Sequence, residues 1–271
     1  MKMVSAAKLR KAQDIILQMR PYANKLFEIL SHLTQSLEST QDNIYGTTRD
    51  VENVLIIAIA SNKGLCGGFN ANVAKKVLQV IDRDYWQQKR DGGNIDIICI
   101  GKKAAELLKS KDNELKEEHH ELLEDISFET IVKLAEKIMK AFAEGVYDEV
   151  QIIYNQFRNA AVQDLTVEQF LPVLPAEPDL EDTTRADYIL EPSREHIIEE
   201  LIPKSLKIQL YKTFLDSIAS EHGARMTAMH KATDNATDLI KELQLDYNKA
   251  RQAAITTEIL EIVAGAEALK S

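Results

Sequence analysis

The last 68 residues of this 271-residue chain, Lys204 to Ser271, contain no proline and only two glycines, Gly223 and Gly265. Along them apolar or small residues recur every three or four positions: Ile208, Tyr211, Leu215 and Ile218, then Met226, Met229, Ala232, Ala236, Ile240, Leu243, Tyr247, Ala250 and Ala254. That period predicts a helix with one apolar stripe. At ~1.5 Å per residue the segment makes a rod on the order of 100 Å long, against ~11 to 12 residues for a mean helix. An ordinary compact domain cannot bury such a helix over its whole length. Part of it needs a partner, so assembly or mechanical work precedes chemistry as a hypothesis.

The other end of the chain offers one partner. Leu9, Ala12, Ile16, Met19, Ala23, Leu26, Leu30 and Leu33 step by three and four, the seam of a coiled coil. The spacing predicts that the two terminal helices pair antiparallel, with small seam residues allowing close backbone approach. Pro21 interrupts the first run; an interior proline costs ~3 kcal/mol and removes a backbone hydrogen bond. A kink or a local adjustment is expected there, with the seam in register on both sides.

Between the helices the pattern changes. Val54–Ala60 is a continuous apolar run, as in a strand buried on both faces. A turn follows (Ser61–Gly68), then a helix over Asn72–Arg83, a strand over Ile95–Ile100 and a helix over Lys102–Lys109. Phe128–Glu144 reads as an amphipathic helix, Glu149–Tyr154 as a third strand and Leu165–Leu171 as an edge strand. This alternation predicts a small parallel sheet. Pro172, Pro175, Pro178 and an acidic run mark a surface loop, and Asp187–Glu191 a short extended piece before a helix starting near Ser193. Pro203 marks either a kink or the start of the uninterrupted section. The fold class expected is α/β with a long antiparallel coiled coil. An N-terminal coiled-coil helix (1–45) and a long C-terminal one (193–271) pair, with a small, mostly parallel, Rossmann-like α/β domain (50–190) inserted between them.

Charge narrows the partners. Residues 1–33 carry six Lys/Arg against two Asp/Glu, residues 204–271 nine of each, and the overall −10 leaves −14 on residues 34–203. An acidic body argues against nucleic acid, while the basic first helix suits an acidic protein surface. No apolar run approaches the ~20 residues that span a bilayer, and no signal-peptide pattern opens the chain. Cys66 and Cys99 form no CxxC pair and read as reduced thiols. Met1 lies directly in helical sequence without a capping residue, so either the helix frays there or the natural chain begins earlier.

The motifs give little chemistry. Lys63-Gly64-Leu65-Cys66-Gly67-Gly68 follows a buried strand, but Phe69-Asn70 stands where a phosphate-binding loop needs Lys-Ser/Thr, and G-x-x-G-G is not a dinucleotide fingerprint. The glycines permit a tight turn with positive φ, Asn70 or Asn72 is expected to cap the next helix, and the loop would let another protein's backbone approach. Glu117 and His120 have the i, i+3 spacing of a carboxylate-bridged metal site, but no matching motif accompanies them; a solvated acidic helix or loop is expected. Neither a G-x-S-x-G elbow nor an H-E-x-x-H helix is present. Arg225, His222 and His230 are expected on the polar side of the long helix or against a partner.

Taken in order, several motifs become recognisable: Met1-Lys2-Met3-Val4-Ser5-Ala6-Ala7-Lys8-Leu9-Arg10-Lys11-Ala12-Gln13, Arg20-Pro21-Tyr22, Lys63 through Gly68, Ala228-Met229 with Ala232 through Ala236, and Tyr247 through Thr256. Together they resemble the gamma subunit of F-type ATP synthases over essentially the whole chain. The resemblance implies a central rotor shaft turning inside a ring of three alpha and three beta subunits, its foot on the membrane c-ring and the epsilon subunit. Ion flow turns the ring, and the asymmetric shaft drives the beta sites through conformations that bind ADP and phosphate, form ATP and release it. The resemblance implies no catalytic residue, cofactor or metal in this chain. It implies a peripheral place on the cytoplasmic face of a bacterial inner membrane (matrix or stromal face in an organelle), without insertion into the bilayer. By the same resemblance Arg251, Gln252, Thr256 and Glu258 meet the catch loops of beta. Lys2 passes its acidic lever, Lys63, Cys66 and Gly67 lie near that lever and the foot, and Asp187, Tyr188 and Glu191 meet epsilon and the c-ring. Members of the family carry further residues before the motif that starts here at Met1, and a cysteine-containing insertion of the redox-regulated chloroplast type is missing.

Overall fold

The computed structural model describes residues 1–35, 44–47, 49–85, 94–110, 115–124, 126–173 and 194–268, without the side chains of 24, 27, 28, 30–35 and 194–199. The elements are α1 (Lys2–Gln35), β1 (Asn53–Ile59), α2 (Phe69–Asp84), β2 (Asn94–Ile100), α3 (Lys102–Lys109), β3 (Glu117–Glu118), α4 (Phe128–Ala143), β4 (Glu149–Phe157), β5 (Gln163–Leu171) and α5 (Arg194–Ala268). The chain divides into two compact units, Met1–Thr227 and Ala228–Ser271.

In the first unit the apolar run of β1 becomes the centre of a five-stranded sheet of order β3-β2-β1-β4-β5. β1 is parallel to β2 and β4, β3 is parallel to β2, and β5 alone runs antiparallel, against β4. Because side chains alternate along a strand, β1 serves two cores. Leu55, Ile57 and Ile59 join Ile131, Leu134, Ile138 and Phe142 of α4 and Ile202, Leu206, Leu210 and Phe214 of α5. Val54, Ile56 and Ala58 join Val73, Val77 and Ile81 of α2 and Ala104 and Leu108 of α3. Each buried Val, Leu, Ile or Phe among them contributes roughly 1.5–3 kcal/mol.

The first part of α5 departs from the single stripe expected. Between Ile202 and Ser220 it is buried on several faces, including Thr213, Asp216, Ser217 and Ser220. The reason is geometric: α5 lies against the sheet core through one set of residues and against α1 through another. Leu9, Ala12 and Ile16 of α1 pack with Leu215, Ile218 and Ala219 of α5 and Phe157 of β4. Arg20 reaches the buried Asp216 at 3.2 Å and also donates to the Phe157 carbonyl at 2.8 Å. Lys8 lines the same space as His222, whereas Leu26 sits by Ser205 and Ile208. Higher numbers on α1 therefore meet lower numbers on α5, the antiparallel sense. Both Pro21 and Pro203 lie inside continuous helices. Among the stripe residues, Leu30 and Leu33 have side chains outside the described set.

Three local expectations are corrected. α2 begins at Phe69 rather than Asn72, and neither Asn70 nor Asn72 caps it. The acidic stretch is a sheet edge, not a helix: Glu117 pairs with Lys137 at 2.5 Å and His119 at 2.9 Å, and Glu118 with Lys109 and His120. Against the opposing effect of burial, hydrogen bonds from Lys137 and His119 hold the Glu117 carboxyl below the usual range, and those from Lys109 and His120 do the same for Glu118. β4 runs on to Phe157, and α4 is capped by Ser127, whose hydroxyl accepts from the Thr130 N–H at 3.2 Å.

The second unit is the remainder of α5. Every described residue from His230 to Ala268 is exposed. Among the described residues no helix is long and apolar enough to cross a membrane.

Candidate functional site

The glycine turn lies between β1 and α2, at the carboxyl ends of the parallel strands, where open α/β sheets gather their functional loops. It is gathered around one oxygen. The Lys63 carbonyl accepts from Ser61 Oγ at 2.7 Å, Asn70 Nδ2 at 3.4 Å and Arg225 Nη2 at 3.1 Å. A phosphate cradle would instead converge backbone N–H groups. Asn70, expected as a helix cap, points back into the turn, and its Oδ1 accepts from the Ser61 N–H at 2.9 Å. Gly67 takes φ +62°, as the positive-φ reading requires, but so does Leu65, whose side chain is 62% exposed.

Cys66 is buried, between Asn70 Nδ2 at 3.2 Å and Ser61 Oγ at 3.8 Å. It holds the turn from inside, so a partner reaching this loop meets Lys63, Leu65 and Gly67, which are exposed. The base of the turn is fixed by Gly101, at φ +113°. A Cβ there would lie 2.7 Å from the Ala60 carbonyl carbon and 3.0 Å from the Ser61 nitrogen. Asn62 ties the turn sideways, donating to the His120 carbonyl at 2.8 Å and accepting from the Lys102 N–H at 3.1 Å.

Arg225 is not on a polar outer face. It is buried, pairs with Glu221 at 2.5 Å and clamps the turn through the Lys63 and Gly64 carbonyls. Hydrogen bonds to a charged group are worth roughly 1.5–3 kcal/mol, so the turn is rigidly attached to α5. Burial pushes the Glu221 carboxyl above its usual range despite Arg225. Burial also depresses His222 to about 4, with Arg225 and Lys8 acting in the same direction.

Lys2 is exposed in the first turn of α1, beside Met3 and Val4, which are exposed as well. Arg251, Gln252, Thr256 and Glu258 are exposed on α5. Arg251 and Glu258, two turns apart, share one face; Gln252 and Thr256, one turn apart, share the next. Thr256 Oγ1 donates to the Gln252 carbonyl at 2.8 Å, whereas the Arg251, Gln252 and Glu258 side chains have no partner among the described residues. Around them Leu239, Ile240, Leu243, Leu245, Tyr247, Ile255, Ile259, Leu260, Ile262 and Val263 are exposed. At 100° per residue they surround the helix instead of forming the single stripe read from the sequence. Asp187, Tyr188 and Glu191 lie outside the described residues. The arrangement offers surfaces for partners: a stapled turn, a basic helix start and a polar-and-apolar helix end.

What the sequence reading missed is the part that Arg225, Asn70, Ser61 and Gly101 play in holding the turn. Gly101, directly after an apolar strand, was the one with a visible signal; Ser61 and Asn70 act through side-chain bonds within the turn that no motif announces, and Arg225 through a contact with a distant segment.

Comparisons with known proteins bear on these surfaces. A family model described as ATP synthase matches residues 1–269. A curated ATP synthase gamma chain of Flavobacterium johnsoniae is 53% identical over 269 residues, covering 99% of this chain and 91% of its own. One from Geobacter metallireducens is 42% identical over 270 residues, covering 100% and 92%. Among solved structures, a chain from the central stalk/c-ring of Tetrahymena thermophila mitochondrial ATP synthase matches with TM-score 0.61 at 22% identity, over 86% of this chain and 97% of that one. A chain from the Euglena gracilis mitochondrial ATP synthase (OSCP/F1/c-ring) matches with TM-score 0.59 at 21% identity, over 97% and 95%. At those identities the likeness concerns the fold.

Proposed function

Because the chain belongs to the ATP synthase gamma-chain family, we propose that it works as the central-stalk rotor, coupling ion-driven rotation of a membrane c-ring to conformational change at the beta-subunit catalytic sites. The observation that carries this reading is the end of α5, exposed on every side and rich in large apolar residues. Such a surface calls for a surrounding partner. The shaft itself is non-catalytic. Its work is differential binding: its rotational position changes the relative stabilities of beta conformations, and coupling can be no larger than that difference.

The finer assignments follow from this reading. Residues 1–45 and 193–271 form the antiparallel coiled coil, with the α/β domain of residues 50–190 inserted between them in sequence; the antiparallel contacts of α1 with α5 support the pairing. Arg251, Gln252, Thr256 and Glu258 meet the beta catch loops inside a ring of three alpha and three beta subunits, using side chains that α5 leaves unpaired. Lys2 passes the acidic lever of beta, and Lys63 and Gly67 stand near that lever with Cys66 holding their turn in shape. Asp187, Tyr188 and Glu191 face epsilon and the c-ring. The subunit is peripheral, on the cytoplasmic face of a bacterial inner membrane or its organellar equivalent.

Co-purification tests the proposal: the chain should be recovered with a three-plus-three hexamer having ATPase activity, one copy on the hexamer axis in images of the complex. A chain that never joins such a hexamer sinks the rotor reading and favours a free coiled-coil adaptor. Micromolar binding of Mg-ATP to the isolated chain with turnover to ADP would instead favour a nucleotide-dependent enzyme.

A further inference from the structure

A cavity of about 590 Å³ opens within the first unit between α1, the β1–α2 turn, the 3-10 turn at Glu121–Leu123 and α5. Four cationic side chains line it, Lys8, Lys11, Lys63 and Arg225, against two carboxylates, Glu124 and Glu221. Glu221 is already taken by Arg225. Lys8, Lys11 and Lys63 have no ion-pair partner among the described residues, although the chain as a whole carries −10. His222 also lines the cavity, and its Nδ1 is buried without a hydrogen-bond partner. Leaving such a group unsatisfied costs roughly 1–3 kcal/mol. Ile15, Leu123 and Leu215 form an apolar part of the remaining wall, beside Asn62 and Tyr211.

This combination specifies a ligand. The volume falls within the ~300–1,000 Å³ typical of small-molecule sites. Two surplus positive charges match the roughly −1.5 to −2 of a phosphate monoester better than the single charge of a carboxylate. Lysine ammoniums serve as point charges for phosphate oxygens, and a neutral His222 with its proton on Nδ1 adds a donor. We propose that this cavity binds a small phosphorylated organic molecule, its phosphate drawn to Lys8, Lys11, Lys63 and Arg225 and its skeleton laid against the apolar wall.

The test is calorimetric titration of the full chain with phenyl phosphate at constant ionic strength in chloride, beside benzoate. The expected result is saturable one-to-one binding of phenyl phosphate, weakened at least tenfold in the Lys8→Gln/Lys11→Gln double variant. Both lysines are exposed, so that variant keeps its fold. Lys75→Gln, exposed on α2 and outside the cavity, should bind as the parent does, and His222→Phe several-fold more weakly. No saturable heat, equal affinity in the double variant, or benzoate binding as tightly as phenyl phosphate would each overturn the assignment. None of these results bears on whether the chain joins a hexamer, so the rotor reading is tested separately.

Discussion

At the scale of single residues, two glycines with positive φ make a controlled comparison. Gly101 and Gly67 both hold backbone that L side chains disfavour, which costs ~1–2 kcal/mol per residue. Around Gly67 a new Cβ would meet nothing within 4 Å, whereas at Gly101 it would collide with the Ala60 backbone. In urea unfolding, Gly67→Ala should therefore lose ~1–2 kcal/mol and Gly101→Ala at least ~3 kcal/mol, because overpacking adds to strain. Equal losses would refute the close-approach account. His222 gives a pH prediction. Its folded value of about 4 lies below the ordinary 6.5, so the unfolded chain binds the proton first. The stability it contributes is complete above pH 6.5 and drains as pH falls toward 4, by on the order of 2 kcal/mol once solvent screening of the half-buried ring is discounted. His222→Gln should flatten that part of the stability-versus-pH curve; an unchanged slope would show that the ring titrates freely.

Among elements, the α1–α5 contact turns on Arg20 and Asp216. Asp216 is fully buried and its Oδ2 has no partner; burial pushes its carboxyl up, with Arg20 opposing. A raised acid is uncharged in the fold at low pH, so the cost of burying its charge appears only as pH rises through the folded value. Arg20→Ala should then destabilise by ~2–3 kcal/mol at pH 8, with a loss that shrinks as pH approaches the ordinary aspartate value of 3.8. A pH-independent loss, measured by denaturant titration, would mean that packing dominates. This contact also shows what the sequence made legible. Apolar runs of strand length identified β1, β2 and β4, and the 3.6 period the helices, because burial is the main force selecting their residues. The polar side chains buried in α5 were not legible, since a stripe seen from one neighbour does not reveal a second. The turn was recognised as tight, but its organisation around the Lys63 carbonyl depends on Arg225, 162 positions away. The two-residue β3 was hidden by length: no period can be read from Glu117 and Glu118.

On the scale of the whole molecule, the end of α5 governs behaviour. Arg251→Ala with Gln252→Ala should leave the thermal midpoint of the free chain within the small range of surface substitutions, because both residues are exposed and unpaired. The same pair of changes should weaken coupling or assembly with the hexamer while nucleotide affinity at isolated beta subunits stays constant; normal coupling would count against the proposed catch-loop contact. Limited proteolysis of the free chain should cut first between His230 and Ala268, where side chains are exposed throughout, and assembly should protect that stretch. The unit Met1–Thr227 should resist longer; early cuts in β1 or α4 would contradict its two-sided core. Ten large apolar side chains from Leu239 to Val263 are wetted on the lone chain, which makes it prone to self-association and precipitation. Cells that made this polypeptide in excess of its companions would accumulate insoluble material, so balanced synthesis matters as much to its success as the fold does.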